Sequence, residues 1–237
     1  MYTIEKRIAY SDVDKNEQLT LTGIIDCLQD CCTLQSEDYE VGVSYLNSVG
    51  MGWYLASWNI KLYEVPKLGD TIRISTWPYL FRGMIGYRNF TVESTDGKRL
   101  LDADSVWLMM NLEKQIPARL PQKVEEAYAH MDPPLELSMS ERKLPLCEGH
   151  TAVYDFEIMR MHLDTNHHMN NGRYIEATSE VLPENFVCTG IRAEYKKPAW
   201  YGDKITVTSA KCDFGYQSTL RLLGTDDILA IVDFIGK

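Results

Sequence analysis

The side chains best suited to chemistry are concentrated in residues 160–176, which read RMHLDTNHHMNNGRYIE. Three of the five histidines of the chain fall in this stretch, together with one aspartate and three asparagines. A histidine can serve as a base near neutral pH, an aspartate can orient that base or replace it, and an asparagine amide can donate to an oxyanion. Hydrolysis of an ester or thioester needs these groups, so we interpret the stretch as a catalytic loop.

Two simpler interpretations of this loop are a metal site and a helix start. His162, His167 and His168 lack the i, i+4 spacing of a helical zinc pair, and no Cys or Glu stands at ligand spacing, so we predict no metal site. Asn170 or Asn171 is expected to cap the next helix, whose free N–H groups favour negative charge nearby. Capping needs only one such residue, which favours a chemical role for the remaining polar side chains.

The elements that must position this loop are predicted from hydrophobic periodicity. An alternating strand over 151–161 leads into it, and a helix over 171–182 follows, ended by Pro183. Four strand-like runs occupy the rest of the chain. The first half has the same order, namely a strand, a polar loop, a helix capped by Thr20 and four strands.

The two halves share a sequence anchor. The segments YEVPKLGDTIRIS at 63–75 and KKPAWYGDKITVT at 196–208 correspond through a Pro, a Gly-Asp pair and an alternating strand. A helix covering an antiparallel sheet, repeated twice, is an α+β pattern and predicts a tandem hotdog fold. We predict an N-terminal repeat over 1–132, a connector over 133–149 and a C-terminal repeat over 150–237. Such a chain already contains the pair that single-hotdog proteins form by dimerising, so a homodimer is possible but not required.

The composition excludes several classes of protein. The chain has 24 Lys and Arg against 34 Asp and Glu, a formal charge of −10, so no general basic surface for nucleic acid is expected. No apolar run predicts a membrane-spanning helix, and the first residues lack the pattern of a secretory signal. The six cysteines lack C-x-x-C spacing and are interpreted as reduced thiols, which predicts a cytoplasmic location. With no phosphate loop and no dinucleotide fingerprint, no cofactor is predicted.

The loop resembles a family motif. Residues 163–176, LDTNHHMNNGRYIE, are similar to the L-D-x-N-x-H-x-N-N-x-x-Y-I stretch of the acyl-acyl-carrier-protein thioesterases, the plant-type enzymes and their bacterial relatives. Three further segments resemble the family in the same order: SWNIKLYEVPKLGDTIRISTW at 57–77, SVWLMMNLEKQIPARLPQKV at 105–124 and AEYKKPAWYGD at 193–203. The resemblance implies a tandem hotdog fold and release of fatty acyl chains from the phosphopantetheine arm of acyl carrier protein, with the first half shaping the acyl pocket.

The same resemblance implies roles within the loop. His168 and Asn166 correspond to catalytic positions, and Asp164 supports the base or shares its role. Plant-type members usually carry Glu-Cys after the E-Y-[KR]-[KR] strand, and both residues have been assigned catalytic roles, whereas Pro198 and Ala199 stand there in this chain. We therefore expect Asp164 and His168 to act on water without a covalent acyl-enzyme, while Asn166 donates to the carbonyl oxygen.

The polar loop SDVDKNEQ in the first half occupies the place that corresponds to the catalytic loop. It contains Asp12, Asp14 and Asn16 but no histidine, so one active site per chain is expected, in the second half. Within the catalytic loop itself, His162 and His167 are interpreted as bystanders.

An acidic carrier protein would be attracted by a basic rim, and Arg192, Lys196 and Lys197 are the predicted docking residues. Three alternatives to this function remain open. An acyl-coenzyme A hydrolase would use the same chemistry and differ only in docking. A non-catalytic acyl-binding module would not need the complete loop, and a hotdog dehydratase would need its histidine at another position.

Overall fold

The chain forms two compact units in the computed structural model, which describes residues 1–137 and 142–237. The first unit comprises Met1–Ala56 and Tyr63–Ser140, and the second comprises Ser57–Leu62 and Glu141–Lys237. Residues 138–141 of the predicted connector lie outside the described residues.

The order of elements in the first half is repeated in the second. The first half contains β1 (Tyr2–Arg7), α1 (Leu21–Asp38), α2 (Val43–Ser48), β2 (Met51–Leu62), β3 (Thr71–Arg82), β4 (Ile85–Ser94), β5 (Arg99–Asn111), β6 (Ile116–Pro117) and α3 (Gln122–Ala127). The second half contains β7 (Thr151–Glu157), α4 (Asn171–Ser179), β8 (Cys188–Tyr195), β9 (Lys204–Cys212), β10 (Gly215–Leu222) and β11 (Ile228–Gly236). A short 3-10 turn follows the first strand of each half, at Tyr10–Asp12 and Arg160–His162.

The first unit is an antiparallel sheet covered by helix α1. Its strands are ordered β1-β3-β4-β5, with β6 paired to β5. The predicted helix is confirmed, and its buried side chains include Ile24, Ile25, Leu28, Cys31 and Cys32. Thr20 is confirmed as the cap, because its hydroxyl accepts the N–H of Gly23 at 2.9 Å. Burial of this face stabilises the helix more than its intrinsic propensity does.

The second unit is a similar antiparallel sheet covered by α4. Its strands are ordered β8-β11-β10-β9-β7. Residues Ser57–Lys61 of β2 pair with the edge of β8 that does not pair with β11. The strands alternate between buried and outward residues, so that one face lies against α4. The side chains of this core are Ile158, Met169, Tyr174, Ala177, Ala199, Ile205, Val207, Leu220, Leu229 and Ala230.

Two predicted boundaries next to the catalytic loop are wrong. Helix α4 ends at Ser179, not at Leu182, because the N–H of Leu182 turns back to the carbonyl oxygen of Ser179 just before Pro183. Strand β7 ends at Glu157, not at Met161, because the following residues enter the 3-10 turn. The shorter strand and helix leave residues 158–170 to form the loop between them.

Candidate active site

The loop between β7 and α4 is closed by its own hydrogen bonds. The N–H of Asp164 donates to the carbonyl oxygen of His168 at 2.9 Å, and the N–H of His167 donates to that of Asp164 at 3.1 Å. His167 has a φ of 65°, and this left-handed conformation reverses the chain. The N–H of Asn166 donates to Oδ1 of Asp164 at 2.8 Å, which forms an Asx turn. One oxygen of the Asp164 carboxylate therefore helps to fix the loop.

The loop brings the second oxygen of Asp164 close to His168. Oδ2 of Asp164 lies 3.5 Å from Nδ1 of His168, and the carbonyl oxygen of Met169 lies 3.3 Å from the same nitrogen. The side chains of Asp164 and His168 are 15% and 8% exposed, so solvent screens their interaction weakly. Two acceptors beside Nδ1 favour the tautomer that carries its proton there, which leaves the lone pair on Nε2 to act as a base.

Burial also alters the acidity of this carboxylate. It raises the pKa of Asp164 above its ordinary value, while the charge on His168 and the N–H groups of Asn166 and His168 oppose that rise. A proton gained by His168 would place a positive charge beside a desolvated negative one, which stabilises both. The pair can therefore receive a proton from a polarised water molecule and hold it during a reaction.

Two of the three asparagines of the loop belong to the start of α4, and the third does not. Asn170 is the N-cap of α4, and its Oδ1 accepts the N–H of Gly172 at 2.8 Å. Asn171 is the first residue of α4 and contributes its carbonyl oxygen to the hydroxyl of Tyr195 at 3.1 Å. Asn166 is half-buried and lies two residues before His168, so its amide is the one that the helix start does not use.

The two histidines interpreted as bystanders lie elsewhere in the loop. His162 accepts the N–H of Met159 through Nδ1 at 3.0 Å and meets the ring of Phe156 edge-on, so it supports the 3-10 turn. His167 is exposed at the reversal of the chain. Neither of them has the buried contact with Asp164 that His168 has.

A turn after β8 holds the other side of the loop. The N–H of Met169 donates to the carbonyl oxygen of Ala199 at 2.9 Å, and Trp200 pairs with His168 across an isolated bridge. The rings of Trp200 and His168 meet edge to face, with centroids 5.9 Å apart and planes 83° apart. The N–H of Ala199 donates to the hydroxyl oxygen of Tyr174 on α4 at 2.9 Å.

Sequence reasoning gave no role to Trp200 or Tyr174. The signal for Trp200 was present, because it directly follows the place where Pro198 and Ala199 depart from the family pattern. Tyr174 matched a motif position, but the amide that it bonds is 25 residues away along the chain. Only folding brings the two groups together.

The loop before α1 repeats this backbone with other side chains. The N–H of Asp14 donates to the carbonyl oxygen of Gln18 at 2.8 Å, and the N–H of Asn16 donates to Oδ1 of Asp14 at 2.8 Å. Glu17 has a φ of 61°, like its counterpart His167. Gln18 takes the position of His168, and the side chains of Asp14, Asn16 and Gln18 are exposed.

The structural repeat corrects the predicted alignment of the two halves. The N–H of Leu19 donates to the carbonyl oxygen of Pro66 at 2.8 Å, as the N–H of Met169 does to that of Ala199. Pro66 therefore corresponds to Ala199, and the two prolines are displaced by one position. The prediction that they correspond is wrong, because the Gly-Asp turns that follow set the register.

All six cysteines are free thiols. Burial raises the pKa of Cys188 to about 11, and burial together with Cys147 raises the pKa of Cys212 to about 12. Cys188 begins β8 and Cys212 ends β9, each roughly 25 Å along its strand from the turn at Ala199. Neither thiol has the acidity or the location of a nucleophile for this loop.

Each of the three predicted docking residues lies near a carboxylate. Arg192 and Asp233 face each other on β8 and β11, Lys196 lies 3.6 Å from Glu194, and Lys197 lies 2.7 Å from Asp227. These pairs compensate part of the positive charge on which the docking prediction relies.

Within residues 1–137 and 142–237, no group of three or more His, Cys, Asp or Glu side chains is arranged to hold a metal ion. In the same part of the chain, no helix has both the length and the apolar character needed to cross a membrane.

Solved structures share the fold. An acyl-ACP thioesterase from Bacteroides thetaiotaomicron superposes with a TM-score of 0.87 over 99% of this chain and 97% of its own, at 23% identity. The 12:0-ACP thioesterase from Umbellularia californica gives a TM-score of 0.85 over 100% and 96%, at 15% identity. This likeness confirms the predicted α+β tandem hotdog fold.

Sequence relatives point in the same direction. The oleoyl-acyl carrier protein thioesterase 1 of Arabidopsis thaliana is 26% identical over 90% of this chain and 65% of its own length. The palmitoyl-acyl carrier protein thioesterase of Cuphea hookeriana is 31% identical over 61% of this chain and 37% of its own. Both relatives are described as chloroplastic, and this chain spans less than two thirds of the length of either.

Family models match both halves. The model for the acyl-ACP thioesterase N-terminal domain matches residues 1–128, and the model for the C-terminal domain matches residues 148–232. Residues 158–170, the loop between β7 and α4, lie inside the second match. Because the two models together match most of the sequence, the chain belongs to the acyl-ACP thioesterase family.

Proposed function

We propose that this protein is a thioester hydrolase that releases fatty acids from acyl carrier protein. The observation that carries the proposal is the buried contact between Asp164 and His168, in a chain of this family. The loop before α1 has the same backbone, but Gln18 stands where His168 would be, so a single active site in the second unit is proposed.

The proposed reaction uses water as the nucleophile. His168 takes a proton from water through Nε2 as the water oxygen attacks the thioester carbonyl carbon. Asp164 holds the imidazole through Nδ1 and stabilises its positive charge, while the Asn166 amide donates to the carbonyl oxygen as it becomes negative. Collapse of the tetrahedral intermediate breaks the C–S bond, and His168 returns its proton to the leaving sulfur. The products are a free fatty acid and the carrier thiol.

A covalent intermediate is not part of this proposal. Pro198 and Ala199 occupy the position at which plant-type members usually carry Glu-Cys, and the raised pKa values of Cys188 and Cys212 disfavour their thiolates. We expect intact-protein mass spectrometry during turnover to show only the unmodified mass. A trapped acyl group on any side chain would overturn the water mechanism.

Carrier docking at Arg192, Lys196 and Lys197 is the finer part of the proposal. Because carboxylates lie beside these residues, we expect electrostatic steering by them to be modest and sensitive to salt. The variant with Lys196→Glu and Lys197→Glu should raise KM for the carrier-borne substrate but not for a small thioester. An unchanged KM for acyl carrier protein would remove these lysines from the docking surface.

The primary test compares wild-type protein with His168→Ala on matched fatty acyl groups carried by acyl carrier protein or coenzyme A. We expect His168→Ala to lower kcat by about 100-fold or more if it is the base. His167→Ala is the matched control, since this neighbour is exposed, and it should retain near wild-type turnover. Wild-type turnover by His168→Ala would refute the site. A higher kcat/KM for the coenzyme A substrate would instead show that the proposed carrier is wrong.

A further inference from the structure

The contact between Tyr174 and Ala199 has no equivalent in the first unit. Tyr174 is 2% exposed, and its hydroxyl oxygen accepts the N–H of Ala199 at 2.9 Å. In the first unit, Ile24 stands at the position of Tyr174 and Pro66 at the position of Ala199. An isoleucine side chain has no acceptor and a proline has no N–H, so the two positions are matched to each other in each unit.

The bonded turn reaches His168 by two routes. The carbonyl oxygen of Ala199 accepts the N–H of Met169, the residue directly after His168. The next residue, Trp200, places its ring edge-on to the His168 imidazole at 5.9 Å. A displacement of the Ala199 backbone would therefore move the imidazole through the main chain and also move the ring packed against it.

Tyr174 is itself held rigidly. Its ring meets the ring of Tyr195 edge to face, with centroids 5.3 Å apart and planes 89° apart. The hydroxyl of Tyr195 donates to the carbonyl oxygen of Asn171 at 3.1 Å, which ties this pair to the first turn of α4. Burial raises the pKa of Tyr174 well above its ordinary value, so its hydroxyl stays neutral at working pH. The helix thus presents a fixed acceptor to the turn.

We propose that Tyr174 and Trp200 are positioning residues for the hydrolysis proposed above. Tyr174 fixes the backbone of Ala199, and Trp200, carried by that backbone, fixes the orientation of the His168 imidazole and shields it from bulk water. This inference rests on the proposed function and adds two residues to the site. In the first unit, where the loop has no histidine, Ile24 and Lys67 stand at the positions of Tyr174 and Trp200.

The first test is Tyr174→Phe, which removes the acceptor and leaves a buried N–H unpaired. We expect kcat to fall by about 10-fold to 100-fold, with little change in KM, because the imidazole is misplaced and the substrate still binds. Tyr154→Phe is the matched control, since the Tyr154 hydroxyl donates to Ala177 in α4 at 2.6 Å and has no bond to the turn. This control should keep wild-type kcat. An unchanged kcat in Tyr174→Phe would overturn the proposal.

The second test removes the N–H from the turn, as Pro66 does in the first unit. Ala199→Pro removes the N–H, and a proline is compatible with this backbone because Pro66 makes the same carbonyl contact in the corresponding turn. Ala199→Pro alone should impair turnover, because the Tyr174 hydroxyl loses its donor. The double variant Tyr174→Phe with Ala199→Pro should lose no more kcat than the poorer single variant, because both changes break the same hydrogen bond. A double variant as poor as the product of the single effects would contradict the coupling.

A third measurement does not depend on turnover. NMR titration of the His168 ring should show a shifted midpoint in Tyr174→Phe and in Trp200→Lys, which carries the residue of the first unit. The midpoint should stay unchanged in Trp200→Phe, which keeps an aromatic edge beside the imidazole. If the wild-type protein hydrolyses no thioester, the proposed function fails. The titration then still decides whether these residues position the ring, and an unmoved midpoint would overturn that role.

Discussion

The loops before α1 and α4 share one backbone but carry different side chains. In each, an aspartate accepts the N–H of the asparagine two residues later at 2.8 Å, and the residue after that asparagine is left-handed. In each, a capping side chain begins the helix. The loop before α4 differs by having a histidine, a tryptophan and a tyrosine at three positions that surround the turn. The comparison teaches that Asp and Asn set the backbone that the two loops share, whereas the histidine and the two aromatic residues are found only beside the second loop.

The second difference is burial. Asp14, Asn16 and Gln18 are exposed, whereas the side chain of Asp164 is 15% exposed and His168 is buried. Two charges 4 Å apart interact by about 1 kcal/mol in bulk water and by about 4 kcal/mol near a partly buried site. The Asp14 carboxylate therefore serves mainly to accept backbone hydrogen bonds in the first loop. The Asp164 carboxylate accepts a backbone hydrogen bond too, and it can also stabilise a proton on His168.

The largest effect is expected from copying the residue of the first loop into the second. His168→Gln should lower kcat/KM by about 1,000-fold, because the base is lost while the side chain stays polar and of similar size. The thermal unfolding midpoint should change little, since Gln18 already occupies this backbone in the first unit. Gln18→His is the reciprocal control and should leave kcat/KM unchanged. Activity that depended on Gln18 would break the assignment of one site per chain.

A smaller loss is expected from the asparagines. Asn166→Ala should lower kcat by about 100-fold, the effect of removing one donor to an oxyanion. Asn16→Ala makes the same change in the first loop and should leave kcat unaltered, although both variants keep the backbone N–H that bonds the preceding aspartate. Equal kcat values in the two variants would mean that the Asn166 amide does not contact the substrate.

The aspartates are compared by activity and by pH. Asp164→Asn should lower kcat by about tenfold or more, because an amide cannot balance the charge of the imidazolium.

Burial raises the pKa of Asp164, so its stabilising contribution is present below the unfolded-state pKa and is lost as pH rises through the folded-state pKa. The free energy of unfolding of the wild type, minus that of Asp164→Asn, should therefore fall as pH rises from below the unfolded-state pKa through the folded-state pKa.

Urea unfolding at several pH values measures that difference. Asp14→Asn is the control for the Asx turn, which the two aspartates share, and its profile is subtracted. A difference that grows with pH would show that the histidine, and not burial, dominates the acidity of Asp164.

The smallest effects are expected at the helix starts. Asn170→Ala and Thr20→Ala each remove a cap and should each cost about 1 kcal/mol of unfolding free energy. Only Asn170→Ala should also lower kcat, by a few-fold, because its helix begins beside the catalytic loop. If the two variants changed kcat equally, the cap at Asn170 would have no special part in the reaction.

Much of the fold was accessible from the sequence because each element has a strong local pattern. The alternating pattern of the second half predicted the strands that β9 and β11 form, and Thr20 was predicted as the cap of α1. The end of α4 was misplaced because Val181 and Leu182 continue the helical spacing beyond the point where the backbone turns. Hydrophobic periodicity alone does not reveal where the backbone leaves the helix.

The candidate site was accessible only in part. The loop could be singled out because its polar residues exceed what capping needs. Trp200 and the bond between Tyr174 and Ala199 could not be derived, because they join groups 25 or more residues apart along the chain. The two prolines were wrongly aligned for the same reason, since only hydrogen bonds between the loop and the turn show that Pro66 corresponds to Ala199. The roles of Asp164, Asn166 and His168 and the cytoplasmic location stay predictions.

The proline displacement also gives the second unit a natural reporter. Pro66 has no amide hydrogen, whereas Ala199 has one, and that hydrogen is buried against Tyr174. Its exchange with solvent deuterium requires the turn to separate from α4, so the exchange rate measures how often this part of the protein opens. Amide exchange at this one position can therefore show whether a ligand changes how often the turn separates from α4.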